Sequence, residues 1–195
     1  MKRGLLVVAA LLCLSSSAFG SQITYIASLS GPAESPPNNS TGVGFATAII
    51  DTATHTLTVS ATFSALTSST SASHIHCCTT DPFTGTAGVA TQTPSFTGFP
   101  LGVTSGTFGP MTFDLTQASS WNSAFITANG GTPASAETAL AGGLAAGKAY
   151  YNIHTSDFPN GEIRGFLRVP EPATLILLGL GLTGVIALGR KRGKP

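Results

Sequence analysis

The chain has 195 residues and a formal charge of +1, from nine Lys and Arg and eight Asp and Glu residues. Six of the nine cations lie close to the two ends, so residues 21–170 hold three cations against seven acidic residues, a formal charge of −4. This balance excludes a nucleic-acid-binding protein, because phosphate contacts need clustered cations. The region between the ends is long enough for one domain with a sizeable core.

Residues 1–20 contain the parts of a secretory signal peptide in the required order. Lys2 and Arg3 give a positive start, residues 5–14 form an apolar core, and a small-x-small cleavage site follows. We therefore expect export of the protein and a mature chain that begins near Ser21.

The central region predicts antiparallel strands. Residues 55–66 (HTLTVSATFSAL) alternate apolar and polar side chains, which is typical of a strand that buries one face. A second strand, GFATAIID, precedes it, and residues 51–54 are the expected hairpin connection. With one helix expected at about Ser135–Ala146, the pattern predicts an all-β sandwich or barrel with one short helix. The other predicted strands are QITYIASL, SASHIHC, TSGTFGPMTFDL, KAYYNIHT and GEIRGFLRV.

Residues 71–81 (SASHIHCCTTD) hold two of the four histidines and two of the three cysteines. Alternate residues of a strand share a face, so His74 and His76 project to the same side, and Cys78 joins them if the strand continues. His154 lies in a separate predicted strand. Two imidazoles at this spacing, closed by a third from a neighbouring strand, can bind copper or zinc. These four residues are candidate metal ligands.

The same histidines have an interpretation that needs no metal. In it they form a polar cluster that hydrogen-bonds Asn152, Glu162 and loop carbonyls and so fixes the strand pairing. Glu162 and Arg164 share a strand face, which predicts a structural ion pair beside His154. The sequence has no nucleophile or phosphate-loop motif, so it favours a binding or structural role over catalysis.

The adjacent cysteines leave three alternatives open. Adjacent Cα atoms are about 3.8 Å apart across a trans peptide, below the usual range of about 4.4–6.8 Å for a disulfide. Free thiols rarely stay unpaired in an oxidising envelope. Cys77 and Cys78 are therefore expected to form an intermolecular bridge or a vicinal bridge, or Cys78 contacts a metal.

Three segments together resemble the CHRD domain, a module first described in chordin and widespread in exported bacterial proteins. They are residues 29–66, residues 72–76 (ASHIH) and residues 150–167 (YYNIHTSDFPNGEIRGFL). The resemblance covers roughly residues 23–168 and implies an immunoglobulin-like β fold, whereas the family's activity is poorly defined. This chain departs from the common pattern after His76, where many members have a Gly-rich turn.

A looser resemblance to copper/zinc superoxide dismutase rests on a His-x-His strand, a later histidine and an arginine near the C-terminus. In that family these residues surround copper on a β-barrel, which implies a metal-dependent redox protein. The chain lacks the family's histidine-rich zinc loop, since only His55 is left over. Its adjacent cysteines cannot form the family's long-range disulfide.

The last 27 residues combine a Pro-Glu-Pro motif, an apolar segment and a basic tail. Residues 173–189 carry no charge and, as a helix of roughly 25 Å, can cross a membrane if the flanks help, with the basic tail inside. The pattern resembles the PEP-CTERM sorting signal. That resemblance implies export in a Gram-negative bacterium, recognition by an exosortase, and delivery to the envelope or extracellular matrix. The sorting residues are Pro170, Glu171, Pro172, Arg190, Lys191 and Arg192.

The sequence thus predicts three parts: a signal peptide (1–20), a CHRD-like β domain (21–168) and a sorting signal (169–195). We expect a structural or binding module of the bacterial surface or exopolysaccharide matrix. Its expected partners are an exosortase, the membrane, and exopolysaccharide or surface proteins. The alternative is a copper- or zinc-binding redox protein.

Overall fold

The computed structural model describes residues 22–171. The predicted signal peptide and the predicted membrane helix at 173–189 lie outside these residues, as do Pro172 and the basic tail with Arg190, Lys191 and Arg192. None of the helices within the described range combines the length and apolar character that a membrane-spanning segment needs.

The described chain folds mainly into strands, as the alternating pattern predicts. All seven predicted strands are present and form one antiparallel sheet that curls on itself, in the order β4-β6-β7-β1-β2-β3-β5. Their bounds are β1 Gln22–Ser30, β2 Val43–Asp51, β3 Thr56–Ser64, β4 Thr70–His76, β5 Gly106–Asp114, β6 Tyr150–Thr155 and β7 Ile163–Phe166.

The hairpin between β2 and β3 forms where the sequence predicts it. The two strands pair over their full length, from Val43 opposite Ser64 to Asp51 opposite Thr56. The Asp51 carboxylate accepts hydrogen bonds from the backbone amides of residues 53 and 54, at 2.9 and 3.2 Å. A carboxylate that bonds its own backbone two residues on is a typical way to close such a turn.

The predicted helix is present as α2, Pro133–Ala145, and a shorter helix, α1, spans Ser123–Ala128. Helix α2 begins at Pro133 because Thr132 and Ser135 form a reciprocal capping box and proline suits the first helical position. Helix α1 has only six residues, which is too short to leave a clear periodic signal in the sequence.

The two faces of the sheet have different roles. One face packs the apolar core, to which β4, β6 and β7 contribute Ile75, Ile153 and Ile163. The other face carries a cross-strand row in which His74 lies opposite Asn152, Asn152 opposite Arg164, and Arg164 opposite Ser30. The candidate ligands therefore lie on the face turned away from the core.

Candidate metal centre

Three histidines from two paired strands converge on one point. His74 and His76 come from β4, and His154 comes from the adjacent strand β6. Each residue offers one ligand atom, and these atoms lie within 4.8 Å of one another. The Nε2 atoms of His76 and His154 are 3.4 Å apart. The spacing and strand pairing inferred from the sequence are enough to bring these three rings together.

Burial keeps the three rings neutral. Their exposed fractions are 6% for His74 and 8% for both His76 and His154. Desolvation lowers the pKa of His74 to about 4 and that of His76 to about 3, and it also lowers the pKa of His154. At neutral pH all three imidazoles are therefore in the uncharged form that metals bind.

Each ring directs one nitrogen to a backbone carbonyl. The three donor–acceptor pairs are His74 Nε2 to Pro94 O at 2.7 Å, His76 Nδ1 to Ala87 O at 2.9 Å, and His154 Nδ1 to Pro159 O at 2.9 Å. A carbonyl oxygen only accepts, so the ring nitrogen facing it carries the proton. Metal-ligating histidines are usually held in this way, because the outer hydrogen bond fixes the tautomer and the ring orientation.

The second nitrogen of each ring carries no proton in the neutral imidazole and therefore presents a lone pair. His74 Nδ1 is buried and has no hydrogen-bond partner. The Nε2 atoms of His76 and His154 face each other, and neither has a proton to donate when the outer nitrogens are protonated. Two facing lone pairs do not attract, whereas a cation between them would bind both. The three nitrogens thus form a donor set that suits zinc or copper.

Aromatic and cationic side chains support one side of the cluster. The Tyr150 ring stacks on His76 with centroids 4.8 Å apart and planes 7° apart. The guanidinium of Arg164 lies over the Tyr150 ring, 4.7 Å from its centroid. This stack fixes the plane of His76 and places a positive charge beyond Tyr150, which also helps to lower the pKa of His76.

The predicted ion pair between Glu162 and Arg164 is wrong. Arg164 pairs instead with Glu34, whose Oε2 lies 3.8 Å from its Nε. Residue 34 lies in a loop far away in the sequence, so strand alternation could not identify it. Glu162 is held by other donors; its carboxylate accepts hydrogen bonds from the hydroxyls of Ser40, Thr67 and Thr155 and from the Thr67 amide.

The polar cluster that the sequence suggests is present only in part. The histidines do bond loop carbonyls, but within residues 22–171 their hydrogen bonds do not reach Glu162 or Asn152. The side-chain oxygen of Asn152 is buried without a hydrogen-bond partner. Asn152 thus lies beside the cluster without bonding to it.

The structure does not bring Cys78 to the histidines. Strand β4 ends at His76, so the alternation that would place Cys78 on the same face stops there. Cys78 is bonded to Cys77 in a vicinal disulfide, one of the three open alternatives, and its sulfur lies 3.6 Å from the carbonyl of Ala139 in α2. His55 is likewise separate, because its ring bonds Glu137 of α2 at 2.8 Å.

Sequence reasoning missed two residues that shape the site. Tyr150 could have been found, because residues 150, 152 and 154 alternate along β6 and must share a face. Glu34 had no such signal, since it lies in a loop whose position depends on the completed fold.

Comparison with known proteins agrees with two of the three resemblances in the sequence and does not support the one to superoxide dismutase. Residues 25–167 match the family model of the CHRD domain. Residues 168–192 match the model of the PEP-CTERM protein-sorting motif. Searches of curated proteins and of solved structures found no match to the chain.

Proposed function

Because the chain belongs to the CHRD-domain family and carries a PEP-CTERM sorting motif, we propose that it is a metal-binding structural module of the bacterial surface or exopolysaccharide matrix. The motif implies export and membrane processing in a Gram-negative bacterium, with an exosortase as the enzyme that recognises it. In this proposal His74, His76 and His154 hold a zinc or copper ion.

One observation carries the metal assignment. Three buried neutral imidazoles each turn one nitrogen to a backbone carbonyl, and one nitrogen of each ring lies within 4.8 Å of those of the other two. Nitrogen ligands of this kind suit zinc and copper, whereas calcium and magnesium prefer oxygen.

A bound ion would stabilise the outer face of the sheet. It would link β4 to β6 directly, and through the outer hydrogen bonds it would hold the loops that contain Ala87, Pro94 and Pro159. Metal binding of this type contributes to the free energy of folding, because the assembled site rarely exists in the unfolded chain. The positions of the three histidines and their carbonyl partners therefore support a structural role for a bound ion.

Thermal unfolding of the exported protein, purified from the envelope and freed of metal, tests this proposal. Adding Zn²⁺ or Cu²⁺ at about 100 times Kd should raise Tm by roughly 5–10 °C, because the ion binds the native state. His154→Ala should abolish the shift. His55→Ala is the matched control and should keep the shift, because its ring bonds Glu137 and not the cluster.

Absence of any shift in the wild-type protein with both metals would contradict the proposal. An equal shift in His154→Ala would place the metal elsewhere in the chain. Either result would leave the polar-cluster interpretation for the three histidines.

A further inference from the structure

A cleft of about 750 Å³ lies next to the histidine site on the same face of the sheet. Its floor is the seam between β1 and β7, formed by residues 26–28 and 164–166. Its walls are residues 33–35, Pro37, Phe45, residues 83–85 and the tail segment 169–171. Sites for small molecules usually have volumes of about 300–1,000 Å³, so this cleft is large enough for a ligand.

The cleft holds two of the three cations of the described chain, beside two carboxylates, Glu34 and Glu171. Residues 22–171 contain three Lys and Arg residues, and two of them, Arg164 and Arg168, line this cleft. Arg164 is 4% exposed and is held by the carbonyls of Ala33 and Gly85 and by Glu34. Its side chain is therefore a fixed part of the cleft floor and has little freedom to move toward a ligand.

Arg168 has a different setting. It is exposed, and its guanidinium lies 4.1 Å from the centroid of the Phe83 ring. Within residues 22–171 no acidic side chain lies within ion-pair distance of it. A guanidinium held over an aromatic ring keeps its planar set of donors for a carboxylate, which it can bind through two parallel hydrogen bonds.

Aromatic rings form an apolar rim around this cation. Phe45 and Phe83 are 43% and 46% exposed, and Phe166 packs edge-to-face against Phe83 at 6.1 Å. Exposed aromatic faces attract positively polarised C–H groups, because the ring face is electron-rich. A ligand that matches this cleft therefore combines an apolar C–H face with an anionic group.

The floor offers no free strand edge to a peptide. Ser30 pairs with Arg164, and Ile26 and Arg168 exchange two backbone hydrogen bonds of 2.8 and 2.9 Å. Recognition of a peptide by strand addition needs unpaired backbone groups, so it is excluded along this seam.

We propose that this cleft binds a sugar residue that carries a carboxylate. The carboxylate accepts hydrogen bonds from Arg168, and the C–H face of the sugar ring packs on the exposed ring of Phe45. The site is separate from the three histidines and goes beyond the proposed metal binding. The proposed surface location supplies only its biological setting, a carbohydrate-rich environment.

Isothermal titration of the exported protein with a short oligoglucuronate tests the proposal. The oligoglucuronate should bind, and a neutral glucose oligomer of equal length should bind at least tenfold more weakly. Arg168→Gln should weaken oligoglucuronate binding at least tenfold. Lys148→Gln is the matched control, because it removes the one cation of the described chain that lies outside the cleft, and it should bind as the wild type does.

Several outcomes would overturn the proposal. These are no binding of oligoglucuronate, equal affinity for the neutral oligomer, unchanged binding in Arg168→Gln, and equally tight binding of a polyglutamate of the same charge. The last would indicate simple charge attraction without sugar recognition. His154→Ala should bind oligoglucuronate normally, so failure of the metal proposal and failure of this one are distinguishable.

Discussion

At the scale of single residues, the three buried histidines should make the metal-free protein sensitive to acid. Burial lowers the pKa of His74 to about 4 and that of His76 to about 3, and that of His154 also falls. In the unfolded chain each pKa is about 6.5, so below that pH the unfolded state binds more protons than the folded state. Stability should therefore rise with pH between about 4 and 6.5, by up to about 1.4 kcal/mol per pH unit for each histidine.

Glu34 acts in the opposite direction. Burial raises its pKa to about 7, so between about pH 4.5 and 7 the folded state binds more protons than the unfolded state. The contribution of Glu34 to stability therefore falls as the pH rises through that range. The histidines outnumber it, so the free energy of unfolding in urea without metal should be larger at pH 6.5 than at pH 5. A flat or falling profile would contradict the buried, neutral state of the three rings.

Gly161 should tolerate no side chain. Its φ is +126°, and a Cβ there would lie 2.5 Å from Nδ2 of Asn152 and 2.7 Å from Oε1 of Glu34. We expect Gly161→Ala to lower the free energy of unfolding in urea by about 2–5 kcal/mol, from backbone strain plus steric overlap. Gly102→Ala is the matched control, because its φ is +77° but nothing lies within 4 Å. It should cost only about 1–2 kcal/mol, and an equal cost at both positions would rule out the overlap.

The sequence could predict the three converging histidines but not the groups that hold their rings in place. His74, His76 and His154 follow from strand alternation, which needs only local spacing. The carbonyl partners Ala87 and Pro94 lie in a long loop, and its path depends on contacts across the whole fold. No local pattern reports such contacts, so they appear only in the structure.

At the scale of elements, two adjacent glycines of α2 should respond oppositely to the same change. A Cβ at Gly142 meets nothing within 4 Å, so Gly142→Ala should stabilise the protein by about 0.5–1 kcal/mol through helix propensity. A Cβ at Gly143 would overlap the sulfurs of both Cys77 and Cys78, so Gly143→Ala should destabilise it by about 1–3 kcal/mol. Urea unfolding measures both, and the same sign for both would show that α2 does not pack on the disulfide.

The seven strands and α2 were predictable because each has a clear local signal: alternation for the strands, and a run of Ala and Leu for the helix. The strand order was not predictable from that signal. In the sheet β4 neighbours β6, and β7 lies between β6 and β1, so the chain pairs segments that are far apart in sequence. Such pairing depends on which faces are buried together, and local patterns do not contain that information.

At the scale of the whole molecule, sorting should depend on the Pro-Glu-Pro motif and not on the apolar segment alone. Replacing Pro170, Glu171 and Pro172 with alanine leaves the apolar residues 173–189 and the basic tail unchanged, so membrane insertion should persist. Processing by the exosortase should stop. Immunoblots of membrane and released fractions measure both, and unchanged processing of the triple variant would contradict recognition through this motif.

The pairing of the first and last strands determines how the domain would carry a mechanical load. Strand β1 begins at Gln22 and strand β7 ends at Phe166. The antiparallel bridge between Ile26 and Arg168 places both ends of the described chain at the same end of the sheet. If the predicted apolar segment 173–189 holds the protein in a membrane, a pull on the opposite end of the sheet passes to that segment through β7, which has a neighbouring strand on each side. Antiparallel hydrogen bonds run perpendicular to the strands. Force along β7 therefore loads its hydrogen bonds together in shear, whereas force perpendicular to the strand would break them one at a time.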